Sequence, residues 1–261
     1  MLIRIIYAIL VLTFFCGLGL AETETVYVPQ IGFGDGFETT FSFMNFSATT
    51  NRVEIRAFDP EGVPAELLLR RGSPFEDESA AEVVGVEVAG FGSAIAETFS
   101  DSFQVGYAEI ESDFGEDFGL ELVFRRFGAN DRLITSTSIL PQPTSTAFSF
   151  LAYSDSFART GVALVNPAAN NAAATVNMIL YDSLGDLVGT AEVVLQSGHR
   201  FSQFIDESTP AADLFPEIAS EDFSGTIEVR SDIPVAVTII RTEGAEFLFT
   251  TQTVQQARAV D

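Results

Sequence analysis

The stretches "VEIRAFDPEGVP" at 53–64 and "VNMILYDSLGDL" at 176–187 decide how this chain folds. Each alternates apolar and polar residues, reaches an aromatic–Asp pair (Phe58-Asp59, Tyr181-Asp182) and meets a glycine three residues after the Asp, at Gly62 and Gly185. A period of two sends neighbouring side chains to opposite faces of a strand, so Val53, Ile55 and Ala57 face one way and Arg52, Glu54 and Arg56 the other. Asp at the first position and Gly at the fourth, with Pro60 presetting φ in the first copy, is type I turn chemistry. Each Asp therefore reads as an acceptor of backbone N–H bonds rather than as a catalytic acid. The chain makes the same statement twice: a strand with one dry face, then a tight turn.

The repetition runs further. Asn45 lies over Asn166 at an offset of 121, Asp59 over Asp182 at 123, Ile110 in "GYAEIES" over Val229 in "GTIEVRS" at 119, and Arg126 over Arg241 at 115. Alternation recurs between Gly, Asp, Asn and Pro punctuation, while helical periodicity is nearly absent, which predicts an all-β fold. Strands are predicted at 25–31, 38–46, 52–59, 82–88, 93–99, 105–112, 119–127 and 132–140. The second half offers 146–153, 159–166, 174–182, 187–195, 199–205, 224–231, 234–242 and 246–255. The prolines of "LPQPTST" at 140–146 suit a short connector. Two β-sandwich repeats follow, 22–142 and 143–261. Segments 67–82 and 206–222 lack counterparts, and they are where two copies of one scaffold are expected to differ in what they touch.

Residues 1–21 carry a positive charge at Arg4, an apolar run from Ile5 to Phe15, and Gly19 and Ala21 ahead of Glu22. That is the pattern of a signal peptide, so the protein is expected to be secreted, periplasmic or on the cell surface, with no transmembrane span after cleavage. The single Cys, Cys16, leaves with that segment, which removes disulfide and thiolate chemistry. Against 37 Asp and Glu stand 13 basic residues, all Arg, for a net charge of −24. Such a chain repels nucleic acid and anionic lipid. The acids are spread along its whole length, which favours solubility in a salty exterior over binding of a cation.

Candidate chemistry is sparse. The run "ESDFGEDFGLE" at 111–121 offers Asp113, Glu116 and Asp117 as calcium ligands, but without EF-hand spacing it reads as a solvated acidic hairpin loop. His199, the sole His, stands near Ser202 and Asp206 in sequence, yet no nucleophile elbow accompanies them, and one His without Cys leaves no zinc set. A glycoside hydrolase using two of the acids would need a matched pair, and none is singled out. A sugar platform would favour Trp or Tyr, whereas this chain has 25 Phe and no Trp. Phe33, Phe37, Phe75, Phe91, Phe103, Phe114, Phe118, Phe157 and Phe215, all near loops, are therefore expected to be core and sandwich-end plugs.

The motifs "GVALVNPAANNAAATVNMILYDSLGDLVG", "GHRFSQFIDE", "DLFPEI" and "DFSGTIEVRSDIPVAVTIIRTEGAEFLFTT" resemble uncharacterised β-sandwich repeats found, often in tandem, in secreted bacterial proteins. "TFSFMNFSATTNRVEIRAFDPEGVP", "FQVGYAEIESD" and "LVFRRFGANDRLITSTSILP" extend the resemblance over the first half, with a departure at 67–82. The resemblance implies two tandem immunoglobulin-like sandwiches with no catalytic residues or cofactor to carry over. The expected role is a non-enzymatic interaction, spacer or adhesion module for an extracellular protein or glycan. A carbohydrate- or calcium-binding sandwich is the alternative, and a carboxylate-based glycoside hydrolase a more distant one.

Overall fold

The computed structural model describes residues 24–71, 77–100, 102–113, 117–139, 141, 143–209, 212–219, 222–244, 248–251 and 254–256. The predicted signal peptide lies outside these residues, as do Glu116, Phe75 and Phe114. The first half comprises β1 (Glu24–Phe33), β2 (Phe37–Asn45), β3 (Asn51–Phe58), β4 (Pro64–Ala65), β5 (Leu67–Arg71), β6 (Asp77–Ala81), β7 (Val83–Val88), β8 (Ser93–Thr98), β9 (Gln104–Ser112), β10 (Phe118–Phe127) and β11 (Leu133–Ile139). The second comprises β12 (Ser145–Ser154), β13 (Ala158–Val165), β14 (Ala174–Asp182), β15 (Leu187–Leu195), β16 (Arg200–Phe204), β17 (Ser208–Thr209), β18 (Ala212–Asp213), β19 (Phe223–Glu243), β20 (Leu248–Thr251) and β21 (Gln255–Gln256). Helical turns among the described residues are 3₁₀ segments at Ala129–Asp131, Ala168–Asn170 and Pro216–Ile218.

Among the described residues every pairing is antiparallel, and β1, β2, β3 and β7 to β11 pair as their counterparts in the second half do, while β4 to β6, β17, β18 and β21 have none. In the first, β9 lies between β1 and β3, with β7 beside β3; a second sheet runs β11-β10-β2-β8 and continues into β5-β6. In the second, the first part of β19 lies between β12 and β14, with β15 beside β14; its last part lies between β20 and β13, with β16 beside β13. Register agrees as well: Ile55 opposes Ile110 where Met178 opposes Val229. The sequence expects two strands at 224–231 and 234–242, but β19 runs unbroken through both. Asp232 accepts the Thr175 N–H at 2.8 Å and the Pro234 carbonyl accepts Asn170 Nδ2 at 2.8 Å, which carries the backbone from one layer to the other.

The order differs from an immunoglobulin domain in several respects, among them β7, which lies beside β3 rather than beside β8. There the first strand neighbours the second and the seventh neighbours the sixth. Here β1 lies beside β9, and β10 lies beside β2. The alignment of Arg126 with Arg241 also needs correcting. Thr39 and Thr160 each stand six residues before the strand-end Asn, yet Thr39 opposes Phe124 while Thr160 opposes Arg241. Arg241 is thus the counterpart of Phe124; matching by residue type missed a two-residue difference in the connection before it.

Alternation fills the cores. Val53, Ile55, Ala57 and Ile110 from one sheet meet Phe41, Phe43, Ala96 and Leu122 from the other. Phe148, Met178, Ile227 and Val229 meet Val162, Leu164, Val237 and Ile239 in the second half. Each such aliphatic or aromatic side chain contributes roughly 1.5–3 kcal/mol by burial. The unmatched segments behave differently from each other: 67–81 adds the β5–β6 hairpin to a sheet edge, whereas 214–218 sends Leu214, Phe215 and Ile218 into the second core. Phe33 and Phe215 are buried, and Phe37 and Phe118 pack against the core. Phe91, Phe103 and Phe157 are not plugs: all three are exposed, because each stands in a connection beyond its sheet.

The repeated polar residues build the same two devices. Asp59 Oδ1 accepts the N–H groups of Glu61 (3.0 Å) and Val63 (2.8 Å), and Asp182 Oδ1 those of Leu184 (2.8 Å) and Asp186 (2.9 Å). Gly62 and Gly185 close these turns at φ +81° and +88°, where a side chain is strained. Asn45 is buried, and its Nδ2 donates to the carbonyls of Thr49 (2.7 Å) and Val88 (3.1 Å). Asn166, also buried, donates to Ala172 (2.8 Å) and Leu195 (2.9 Å). Asn166→Ala leaves two carbonyls without this donor and is expected to lower unfolding free energy by about 1–3 kcal/mol, read from the urea midpoint. An unchanged midpoint would show that the cap is dispensable.

Candidate functional site

The halves meet at a junction with its own small apolar cluster. Tyr107, Val165 and Ala236 are buried together, with Tyr27 and Phe58 packed on them. The Phe58 and Tyr107 rings stack at 4.8 Å. The Tyr107 hydroxyl donates to the Gly198 carbonyl at 2.6 Å, and burial raises its pKa further above the ordinary phenol value. Arg200 donates through Nε to the Pro29 carbonyl at 2.6 Å and through Nη2 to Gln30 Oε1, while its backbone N–H reaches the Pro60 carbonyl at 2.9 Å. Burial lowers the guanidinium pKa to about 10. Beside this contact a cleft of about 260 Å³ is lined from both halves, by Phe37, Phe103 and Phe124 on one side and Val162, Phe204 and Ile240 on the other.

A broad concave surface lies on the outward face of β12, β14 and β19. Two adjoining hollows of about 490 and 580 Å³ share Leu151, Tyr153 and Thr226. Tyr181, Leu184 and Gly185 complete one end and Arg241 the other. The Arg241 guanidinium lies 4.1 Å from the Tyr153 ring centre and pairs with Glu243 at 3.1 Å. Leu184 is 86% exposed. This face mixes the aromatic and aliphatic side chains of Leu151, Tyr153, Tyr181 and Leu184 with Asp182, Thr226 and one cation, Arg241, a composition suited to covering by another surface. Tyr181 is named from sequence only as the aromatic half of an Asp turn and Tyr153 not at all, although their alternation with buried Phe150, Ala152 and Leu180 places both on the outer face.

The charged residues engage one another. On the outer face of β2, β8 and β10, Arg125 Nη1 donates to Glu38 Oε1 and to Thr40 Oγ1, both at 2.6 Å, and lies 3.9 Å from Glu97. Burial, then a hydrogen bond to Glu38 and its charge, push the Glu97 carboxyl up to about 7, against the pull of Arg125 and Arg70. Asp206, a sequence neighbour of His199, is instead held by Arg159 at 2.8 Å and Ser154 at 3.0 Å, while Ser202 donates to Gln30. Of the calcium candidates, Asp113 and Asp117 are exposed in the β9–β10 connection; among the described residues no three acids, His or Cys are grouped to hold a metal.

No known protein family and no curated protein matches the chain. Among solved structures, an isomalto-dextranase of Arthrobacter globiformis T6 complexed with panose overlaps 81% of this chain at 9% identity, with a TM-score of 0.25. The chain spans 36% of that enzyme's length. Procruciferin, the 11S globulin of Brassica napus, overlaps 89% of this chain and 78% of its own (9% identity, TM-score 0.25). The apo Pleurotus ostreatus lectin overlaps 91% and 81% (10% identity, TM-score 0.23). Overlaps this loose define no shared fold. No helix among the described residues is long and apolar enough to cross a membrane.

Glu97 gives a pH signature. Its folded pKa lies above the unfolded one, so the folded chain holds a proton that the unfolded chain releases. This contribution favours folding at low pH and is lost as pH rises through about 7. Glu97→Gln keeps a donor toward Glu38 at every pH. The variant should therefore gain stability relative to the parent between about pH 5 and 8, measured by denaturant midpoints. A constant difference across that range would show that Glu97 titrates normally.

Proposed function

We propose that this chain is an exported, non-enzymatic protein of two tandem copies of one β-sandwich, acting as an interaction, spacer or adhesion element outside the cytoplasm. Its sandwich shares the second–fifth and third–sixth strand pairs of the immunoglobulin arrangement, through β2–β8 and β3–β9. The shared pairing scheme of the main strands, the duplicated Asn cap and the duplicated Asp–Gly turn support duplication. The observation that carries the functional reading is the junction. Tyr107 and Arg200 hold the second unit on the first by hydrogen bonds to backbone carbonyls, as expected for a stiff two-unit body that presents its remaining faces in fixed directions.

Two experiments test this reading. Tyr107→Phe removes the buried hydroxyl and is expected to cost about 1–2 kcal/mol in denaturant unfolding and to broaden the inter-unit distance distribution in small-angle scattering. An unchanged distribution would show that the junction does not set the geometry. Mass spectrometry of the protein from its native cells should find a mature chain beginning at Glu22, outside the cytoplasm. An intact Met1 terminus in the cytosol removes the export reading, and glycan hydrolysis abolished by Glu97→Gln removes the non-enzymatic one.

A further inference from the structure

The junction uses one face of the first unit and a different face of the second, and each of these faces exists twice. On the receiving side, Phe58 opposes Tyr107 across β3 and β9, just as Tyr181 opposes Thr226 across β14 and β19. Tyr107 is covered by the second unit, whereas Tyr181 and Thr226 line the open groove. The paired glycines report the same contrast. A Cβ on Gly62 would lie 2.3 Å from the Gly198 carbonyl oxygen, while one on Gly185 would meet nothing within 4 Å.

On the docking side the reverse holds. The Asn45 N–H donates to Gly92 as the Asn166 N–H donates to His199, so Met44 stands where Val165 does and Phe91 where Gly198 does. Val165 and Gly198 are buried in the junction region. Met44 and Phe91 are exposed, with Phe46 beside them; Phe91 is 75% exposed at φ +55°. A bulky residue held in left-handed backbone and in water pays twice for its place, and such strain persists where a surface uses it.

We infer that a second copy of this chain docks its Met44–Phe46–Phe91 end into the Tyr181–Gly185–Thr226 groove, repeating between chains the junction found within one. The contact rests on the two-unit reading above. Volumes are complementary: within the chain a large Tyr107 meets a small Gly198, and between chains a small Thr226 meets a large Phe91. The cleft chemistry changes in step: the junction cleft is lined by Phe124 and Phe204, whose register counterparts are Arg241 and Glu97, so an apolar pair within the chain becomes a polar pair between chains. Because the two surfaces differ, the contact is heterologous and propagates head to tail.

Sedimentation velocity on the mature full chain tests this. The wild type should show a weight-average mass that grows with concentration, and more so in moderate salt, which screens repulsion between chains of net charge −24. Phe91→Asp and Thr226→Arg should each stay monomeric, but an equimolar mixture should form dimers and nothing larger, since it offers one intact plug and one intact groove. Phe91→Asn, which suits left-handed backbone, should abolish association while raising the melting temperature, which separates lost contact from lost fold. A wild type that stays monomeric at every concentration, association that survives Phe91→Asp, or a glycan that fills the groove without assembly would each overturn the contact. If Tyr107→Phe still loosens the inner junction in that case, the two-unit reading stands alone.

Discussion

One buried amide per unit holds the rest in place. The Asn166 side chain ties the end of β13 to the loop at Ala172 and to the end of β15 at Leu195, while its backbone exchanges bonds with Gly198 and His199. A single residue thereby fixes three segments that belong to both layers. The strand-end loop it organises is the one that presents the Gly198 carbonyl to Tyr107, so the cap of one unit sets the hinge with the other. Asn45 performs the same local task in the first unit, where the organised loop carries Phe46 and Phe91 instead. Buried polar groups impose this kind of order because leaving them unpaired is costly.

Once the scaffold is held this way, the two units are free to differ on their outer faces. The outward side of β2 and β8 carries Glu38 and Glu97 around Arg125, an ion-paired cluster in which burial raises the Glu97 pKa. The corresponding side of β13 and the end of β19 carries Ala163, Val165 and Ala236, and it is packed against the first unit. Insertions diverge in the same spirit. One lengthens a sheet edge, and the other fills a core end with Leu214, Phe215 and Ile218. The cost of each choice is local, because the register beneath is fixed by the caps and turns.

Much of this was legible from residues. The predicted strands match the observed ones to within a few positions, and the Asp turns hold the backbone N–H partners that turn chemistry implied. The misreadings have separate causes. Phe91, Phe103 and Phe157 were placed inside because aromatic side chains are usually buried, yet each lies past the end of its strand. Arg126 was matched to Arg241 by type, while the ladder pairs Arg241 with Thr160. The continuity of β19 was hidden by Pro234, which ordinarily ends a paired segment but here sits between two sheets.

The sequence by itself determined the all-β architecture, the positions of the repeated strands, their dry and wet faces and the duplicated turns, because a period of two and turn chemistry act within a dozen residues of chain. Only the tertiary structure decided which of two equivalent faces is covered and which is open. The burial of an outward side chain such as Tyr107 or Tyr181 depends on what packs over it, and that neighbour is some 90 positions away for Tyr107, at Gly198.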